Sequence, residues 1–193
     1  MAKGDFVLIT AASSSVGVAA IQLANAAGAI PIAATRGAAK KQGLLEIGAA
    51  HVIVTDEGSL SERVKGITGG RGARLIFDPI VNGMLETLAD AAAADGVIFM
   101  YGSLGASGAL GQTPATIPLL STLGKQIRFW GFNGYALAAS PERLKRGLDY
   151  IFNKLRSGEL KVVIAKTFPL ELYADAHRYL ESNGQIGRVV VTL

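Results

Sequence analysis

The sequence contains no cysteine and only two histidines. Without thiols it can form neither a disulfide nor a thiolate metal site, and His51 and His177 alone make a poor zinc set. No metal is therefore expected. Long apolar runs are also missing: none approaches the roughly 18 residues that a membrane span requires, so no membrane partner is expected. Charged residues make up only 18% of the chain, and the formal net charge of +4 comes from scattered lysines and arginines. No basic cluster alternates with aromatic residues, which argues against nucleic acid as a partner. The opening Met1-Ala2-Lys3-Gly4-Asp5 has no signal-peptide pattern. Together with the lack of cysteine, this leads us to expect a cytoplasmic protein.

Half of the 193 residues are hydrophobic, enough for one well-cored domain or a domain with a small appendage. Short apolar runs alternate with segments of helical period, the pattern of βαβ units and a parallel sheet. Strands are predicted at 6–10, 30–34, 51–54, 73–77, 97–101 and 127–132. Helices are predicted at 16–27, 38–47, 59–68 and 83–93, with a helical turn at 119–123. Gly28 and Gly48 stop the first two helices. Ser59 and Glu62 form a capping box for the third. Gly102 to Pro118 is a long loop rich in glycine, serine, threonine and proline, of a kind that often covers a ligand. After residue 140 the layout changes to helix (140–157), strand (162–168), helix (169–182) and strand (188–193). Ser140 is a candidate N-cap there, with Pro141 at the first helical position.

Thr10-Ala11-Ala12-Ser13-Ser14-Ser15-Val16-Gly17 lies where the first strand becomes the first helix. The spacing Ala12-x-Ser14-x-x-Gly17 follows the dinucleotide fingerprint G-x-G-x-x-G with two glycines replaced. Gly17 permits close helix–strand approach, and free amides at the helix start suit a phosphate. Alternatively, Ser14 or Ser15 is an ordinary helix cap. At the end of the second strand, where an acid usually holds a ribose 2′-hydroxyl, the sequence reads Thr35-Arg36-Gly37-Ala38-Ala39-Lys40-Lys41. Arg36 and Lys40 suit a 2′-phosphate, which favours NADP(H) over NAD(H). A solvated helix start is the other reading, although cations there oppose the helix dipole.

At this point "GDFVLITAASSSVGVAAIQLANAAGA" resembles the cofactor-domain opening of the medium-chain dehydrogenase/reductase superfamily. The likeness is strongest to its quinone oxidoreductase branch, the zinc-type alcohol dehydrogenase-like proteins. That branch carries A-x-x-G-G-V-G where this chain has Ala11 to Gly17. "LLEIGAAHVI", "GGRGARLIFDPI" and "RYLESNGQIGRVVVTL" look like further motifs of the branch, so the resemblance spans essentially the whole chain. It implies an α/β Rossmann fold with a doubly wound, six-stranded parallel sheet in the order 3-2-1-4-5-6, and a helix-strand-helix-strand tail. It implies a domain at 1–139, with a tail at 140–193 that packs on it and towards a catalytic domain preceding it in the family. It also implies hydride transfer from NADPH to a quinone or an activated double bond, without zinc.

Carried over by position, Ser13, Ser14, Ser15, Val16 and Gly17 hold the pyrophosphate, and Thr35, Arg36 and Lys40 surround the 2′-phosphate. Asp78 to Val81, Tyr101, Gly102, Ser103 and Leu104 approach the ribose and nicotinamide. Phe132, Asn133 and Asn183 complete the pocket. The chain departs from the family in replacing the double glycine by Ser14-Ser15. It also has Thr55 where a tyrosine often touches the 2′-phosphate. No residue is assigned as catalytic. The chain is expected to be the cofactor-binding part of a longer enzyme, to take a small-molecule substrate, and to dimerise through the strand-six edge containing Trp130. A non-catalytic dinucleotide-binding module is the alternative; a methyltransferase is disfavoured by the basic end of strand two. Asp78 is either a ribose acceptor or a turn former. His51 reads as a strand-edge residue and His177 as a surface one. Gly105 to Ala109 does not fit a nucleophile elbow.

Overall fold

The computed structural model describes residues 1–105 and 115–193. β1 (Phe6–Ile9), β2 (Ile30–Thr35), β3 (His51–Val54), β4 (Ala73–Asp78), β5 (Ala92–Met100) and β6 (Arg128–Gly131) form one parallel sheet in the order β3-β2-β1-β4-β5-β6. This is the Rossmann arrangement. The order reverses between β1 and β4, which opens a crevice at the carboxyl ends of the strands.

Side chains alternate across the sheet. Val7, Ile9 and Ala33 face α1 (Ser15–Ala26) and α2 (Lys41–Ile47), packing with Ile21, Ala24 and Leu44. Leu8, Ile32, Ile76 and Ile98 face the other way, against Leu60 and Val64 of α3 (Leu60–Ile67) and Leu85 and Leu88 of α4 (Leu85–Ala91). Burying both faces explains the unbroken apolar runs of the central strands. Each fully buried leucine or isoleucine contributes about 1.5–3 kcal/mol relative to exposure.

The predicted fourth helix runs too far. α4 stops at Ala91, and β5 begins at Ala92 instead of residue 97. Alanine favours helix, but tertiary contacts override it here. Gly72, at φ +80°, brings its backbone so close to Ala92 that a Cβ would lie 2.7 Å from the Ala92 carbonyl carbon. Ala73 then pairs with Ala92, and the register shifts before Leu75 pairs with Val97. Lys125 Nζ donates to the carbonyls of Ala89, Asp90 and Ala92 at 2.9, 2.8 and 3.0 Å. They lie at the carboxyl end of α4 and the start of β5, where the helix no longer supplies amide donors of its own.

α5 (Leu119–Lys125) precedes β6, and a short α6 (Gly134–Ala138) that the sequence does not announce follows it. α7 (Pro141–Arg156) starts with Pro141 in its first turn, but the Ser140 side chain makes no capping bond. β7 (Ile164–Pro169), α8 (Tyr173–Glu181) and β8 (Arg188–Thr192) close the chain, with β7 and β8 paired parallel as a second, two-stranded sheet. Of the long loop predicted at 102–118, and of the stretch 105–109, residues 106–114 lie outside the described residues. No described helix is long and apolar enough to cross a membrane.

Candidate functional site

The chain leaves β1 through a sharp turn, with Ala11 at φ +44°. Ser14 is the N-cap of α1: its Oγ accepts from the Gly17 amide at 3.0 Å. The capping reading of the serine run is thus realised by Ser14. It does not exclude an anion, because Ser14 satisfies only one of the donors at the helix start. Gly17 is buried, and a Cβ there would lie 2.6 Å from the Ala11 carbonyl oxygen and 2.7 Å from Ala12. Its hydrogen is what lets α1 close on the turn. Val16 is 45% exposed and lies beside the same helix start.

β2 delivers its residues to the flank of this turn. Thr35 is buried, and its carbonyl accepts from Thr55 Oγ1 at 3.3 Å. Arg36 is exposed, and a 3₁₀ turn over Ala38–Lys40 follows. From that turn Lys40 reaches back, and its Nζ donates to Ser13 Oγ at 2.9 Å. Burial, then the neighbouring Arg36 charge, lower the Lys40 pKa from the usual lysine value. No acidic side chain from the end of β2 accompanies them, since the sequence there is Thr35-Arg36-Gly37-Ala38-Ala39.

The ends of β4 and β5 build the other side. Asp78 is fully buried. Its carboxylate accepts from Thr10 Oγ1, and from the amides of Ile80 and Val81 at 3.1 and 2.6 Å. Asp78 is therefore the turn former of its two readings. Burial raises its pKa, and the three hydrogen bonds oppose that rise. Val81 adopts φ +61° in the turn so formed. The loops after β4 and β5 then zip together: Leu104 and Gly105 donate their amides to the Pro79 and Ile80 carbonyls at 2.8 and 3.0 Å. Gly102 sits so close that a Cβ would lie 3.0 Å from the Pro79 oxygen. Ser103 is exposed on this loop.

The Tyr101 ring stacks on Phe77 at 4.1 Å, and its hydroxyl is buried without a hydrogen-bond partner among the described residues. Burial first, then the Asp78 charge, raise the Tyr101 pKa, while Ser14 acts in the opposite direction. Phe77, Phe99 and Phe132 continue the aromatic wall, with Phe99 5.4 Å from each of the other two.

The tail meets the turn through a residue that sequence reading missed. The Gly187 amide donates to the Ser13 carbonyl at 2.9 Å, and Gly187 forms an isolated bridge with Ser14. Gly187 adopts φ +100°, and any Cβ there would collide with the Val163 carbonyl. Its signal in the sequence was its place in the stretch "RYLESNGQIGRVVVTL". Asn183, by contrast, is not brought to the turn by its side chain. Its amide donates to the Glu181 carbonyl at 2.9 Å within a local bend. Asn133 caps α6, accepting from the Tyr135 amide at 2.9 Å. His51 opens the edge strand β3 and is exposed; His177 lies 4.5 Å from the Tyr173 ring on α8.

The structure thus gathers Ser13, Ser14, Ser15, Val16, Gly17 and Lys40 at one switch point, with Tyr101 on one flank and Arg36 on the other. Such a group offers amide donors and a favourable dipole at a 12-residue helix, a second cationic position, and a flat aromatic wall. Among the described residues, no three His, Cys, Asp or Glu side chains gather where an ion could be held.

Known proteins share this frame. The family described as zinc-binding dehydrogenase matches residues 15–153. Quinone oxidoreductase 1 of Escherichia coli is 32% identical over 93% of the chain and 54% of that protein. The 2-haloacrylate reductase of a Burkholderia species is 28% identical over 97% of the chain and 55% of that protein. The crystal structure of the E. coli quinone oxidoreductase complexed with NADPH superposes with a TM-score of 0.86 at 28% identity, covering 100% of this chain and 58% of that one. The chain spans about half the length of the curated relatives it matches.

Proposed function

The chain belongs to the zinc-binding dehydrogenase family, and on that premise we propose that it is the cofactor-binding part of an NADPH-dependent oxidoreductase of the quinone or activated double-bond reductase type. The observation that carries this reading is one juxtaposition. A serine-rich turn capping α1 and an acid-free, cationic end of β2 meet at the switch point, joined by the bond from Lys40 to Ser13. A dinucleotide with an extra 2′-phosphate presents anions at matching places.

Ser13 to Gly17 would receive the pyrophosphate on amides at the start of α1. Arg36 and Lys40 would receive the 2′-phosphate beside Thr35. Val81, Tyr101, Gly102 and Ser103 would line the nicotinamide side, with Phe132 at its margin. The bound cofactor supplies a hydride to an electron-poor acceptor. The chain's own contribution is to hold and orient it: Asp78 and Thr10 keep the end of β4 fixed against β1, and the aromatic wall excludes water. No zinc is assigned to this chain. Substrate choice and proton delivery are assigned to the part of such an enzyme that corresponds to the other half of its relatives. Residues 1–139 would form the cofactor domain and 140–193 the tail that locks onto it. The exposed β6 edge, where Trp130 is 61% accessible, is the surface we assign to a homodimer.

The test is a titration of the chain with NADPH and, separately, NADH, following Trp130 fluorescence and heat. Tighter binding of NADPH, lost in the Arg36→Ala/Lys40→Ala double variant, is the expected result. Equal affinity for both nucleotides, or none for either, would overturn the assignment.

A further inference from the structure

Ser13 and Lys40 come from different strand ends and meet side chain to side chain. The Lys40 ammonium is half-buried at the flank of the turn, and one of its three N–H groups is used on Ser13 Oγ at 2.9 Å. Its neighbour Arg36 carries a like charge close enough to disfavour the protonated amine. A free lysine so placed would swing its four-carbon stem away from Arg36 and into water. The Ser13 oxygen prevents that. Ser13 is in turn fixed through its backbone, because its carbonyl accepts from Gly187 at 2.9 Å and the next residue is the cap of α1.

We infer that Ser13 is a positioning residue for the 2′-phosphate subsite: it holds the Lys40 ammonium in place, so that the connected Ser13–Lys40 pair serves both anionic groups of the cofactor. This rests on the cofactor reading above and deepens it. Lys40 keeps two N–H donors for an incoming phosphate while the third stays on Ser13. Because the ammonium donates to Ser13 Oγ, the serine O–H is turned outward and can donate to the pyrophosphate. The two anionic ends of the ligand are then recognised by one connected pair. The ordering of the lysine is completed before the ligand arrives, which is how preorganisation raises affinity.

The consequence is measurable with a probe that carries only one of the two anions. Adenosine 2′-monophosphate has a 2′-phosphate and no pyrophosphate, so Ser13 has no direct partner on it. Ser13→Ala should nonetheless weaken its binding to the full chain by roughly three- to tenfold. Ser13→Thr, which keeps the oxygen, should retain the affinity. In a Lys40→Ala background, Ser13→Ala should have no further effect on this probe. A merely structural role for Ser13 would move 2′-monophosphate and 5′-monophosphate binding alike and would persist without Lys40. Unchanged 2′-monophosphate affinity in Ser13→Ala, with wild-type binding intact, overturns this inference alone. Wild-type protein that binds adenosine 2′-monophosphate no better than adenosine 5′-monophosphate removes the 2′-phosphate subsite itself, and the inference with it.

Discussion

The first hundred residues and the described residues beyond 115 are built to different standards. In the first region Leu8, Ile9, Ile21, Ile32, Ile76 and Leu88 are fully buried, and two apolar clusters cover both faces of the sheet. In the second, the buried apolar side chains are Ile127, Leu160, Phe168 and Ala176, and α5, α6 and α7 contribute none. Instead α7 leaves Leu148, Tyr150 and Phe152 about half exposed. Both regions have regular secondary structure. What separates them is burial: helices of the first region pack through their apolar stripe, whereas of those in the second only α8 buries a residue, Ala176, and polar ties supplement the packing. Lys125 on three carbonyls is one such tie. Gln22 is another: its side-chain amide donates to the Lys161 carbonyl at 3.1 Å and accepts from the Lys161 amide at 2.7 Å.

That contrast can be broken by substitution. Leu8→Ala should cost about 2–5 kcal/mol in urea unfolding, the usual penalty for emptying a core site. Gly17→Ala pushes a Cβ into the backbone of the β1–α1 turn and should cost about 1–3 kcal/mol, with loss of nucleotide binding. Lys125→Met removes the donors at the end of α4 and should cost about 1–3 kcal/mol, although its own helix buries nothing. Phe152→Ala should change stability by less than about 0.5 kcal/mol. Equal costs for Leu8→Ala and Phe152→Ala would show that the two regions differ in appearance only.

Acidity sharpens the same comparison, because Asp78 is the buried carboxylate of the first region. Its folded pKa lies above the unfolded value, so the folded state holds its proton more tightly. The stability linked to that proton is fully present below the unfolded pKa. It is lost as pH rises through the folded one. Stability curves of wild type and Asp78→Asn should therefore differ in slope just above the usual carboxylate range. Parallel curves would mean that the three hydrogen bonds cancel the effect of burial.

Much of the first region was legible because burial on both faces writes unbroken apolar runs. β3 falls on His51–Val54 as predicted, and β1, β2 and β4 end within a residue of their predicted bounds. The failure at Ala92 has a different origin: the segment Ala89-Asp90-Ala91-Ala92-Ala93 is locally helical in character. The contacts that end the helix come from Gly72 and from Lys125, far away in sequence. α6, five residues long, offers too few turns for a period to show. At the site, the capping serine and the cations of the β2 end were visible as residue types at known offsets. That Ser13 and Lys40 touch, and that Gly187 reaches the turn, are facts of three-dimensional closure that spacing does not encode.

The bond from Gly187 to Ser13 also sets an order in time. β1 and its turn are made well before the tail, and the central strands can pair while the chain is still being extended. The Ser13 carbonyl, however, acquires its partner only after Gly187 has left the ribosome. A nascent chain halted before that residue can own a sheet and a capped α1 while its phosphate turn still lacks one of its fixings. Nucleotide affinity then follows the sheet in time, waiting on a residue of the tail.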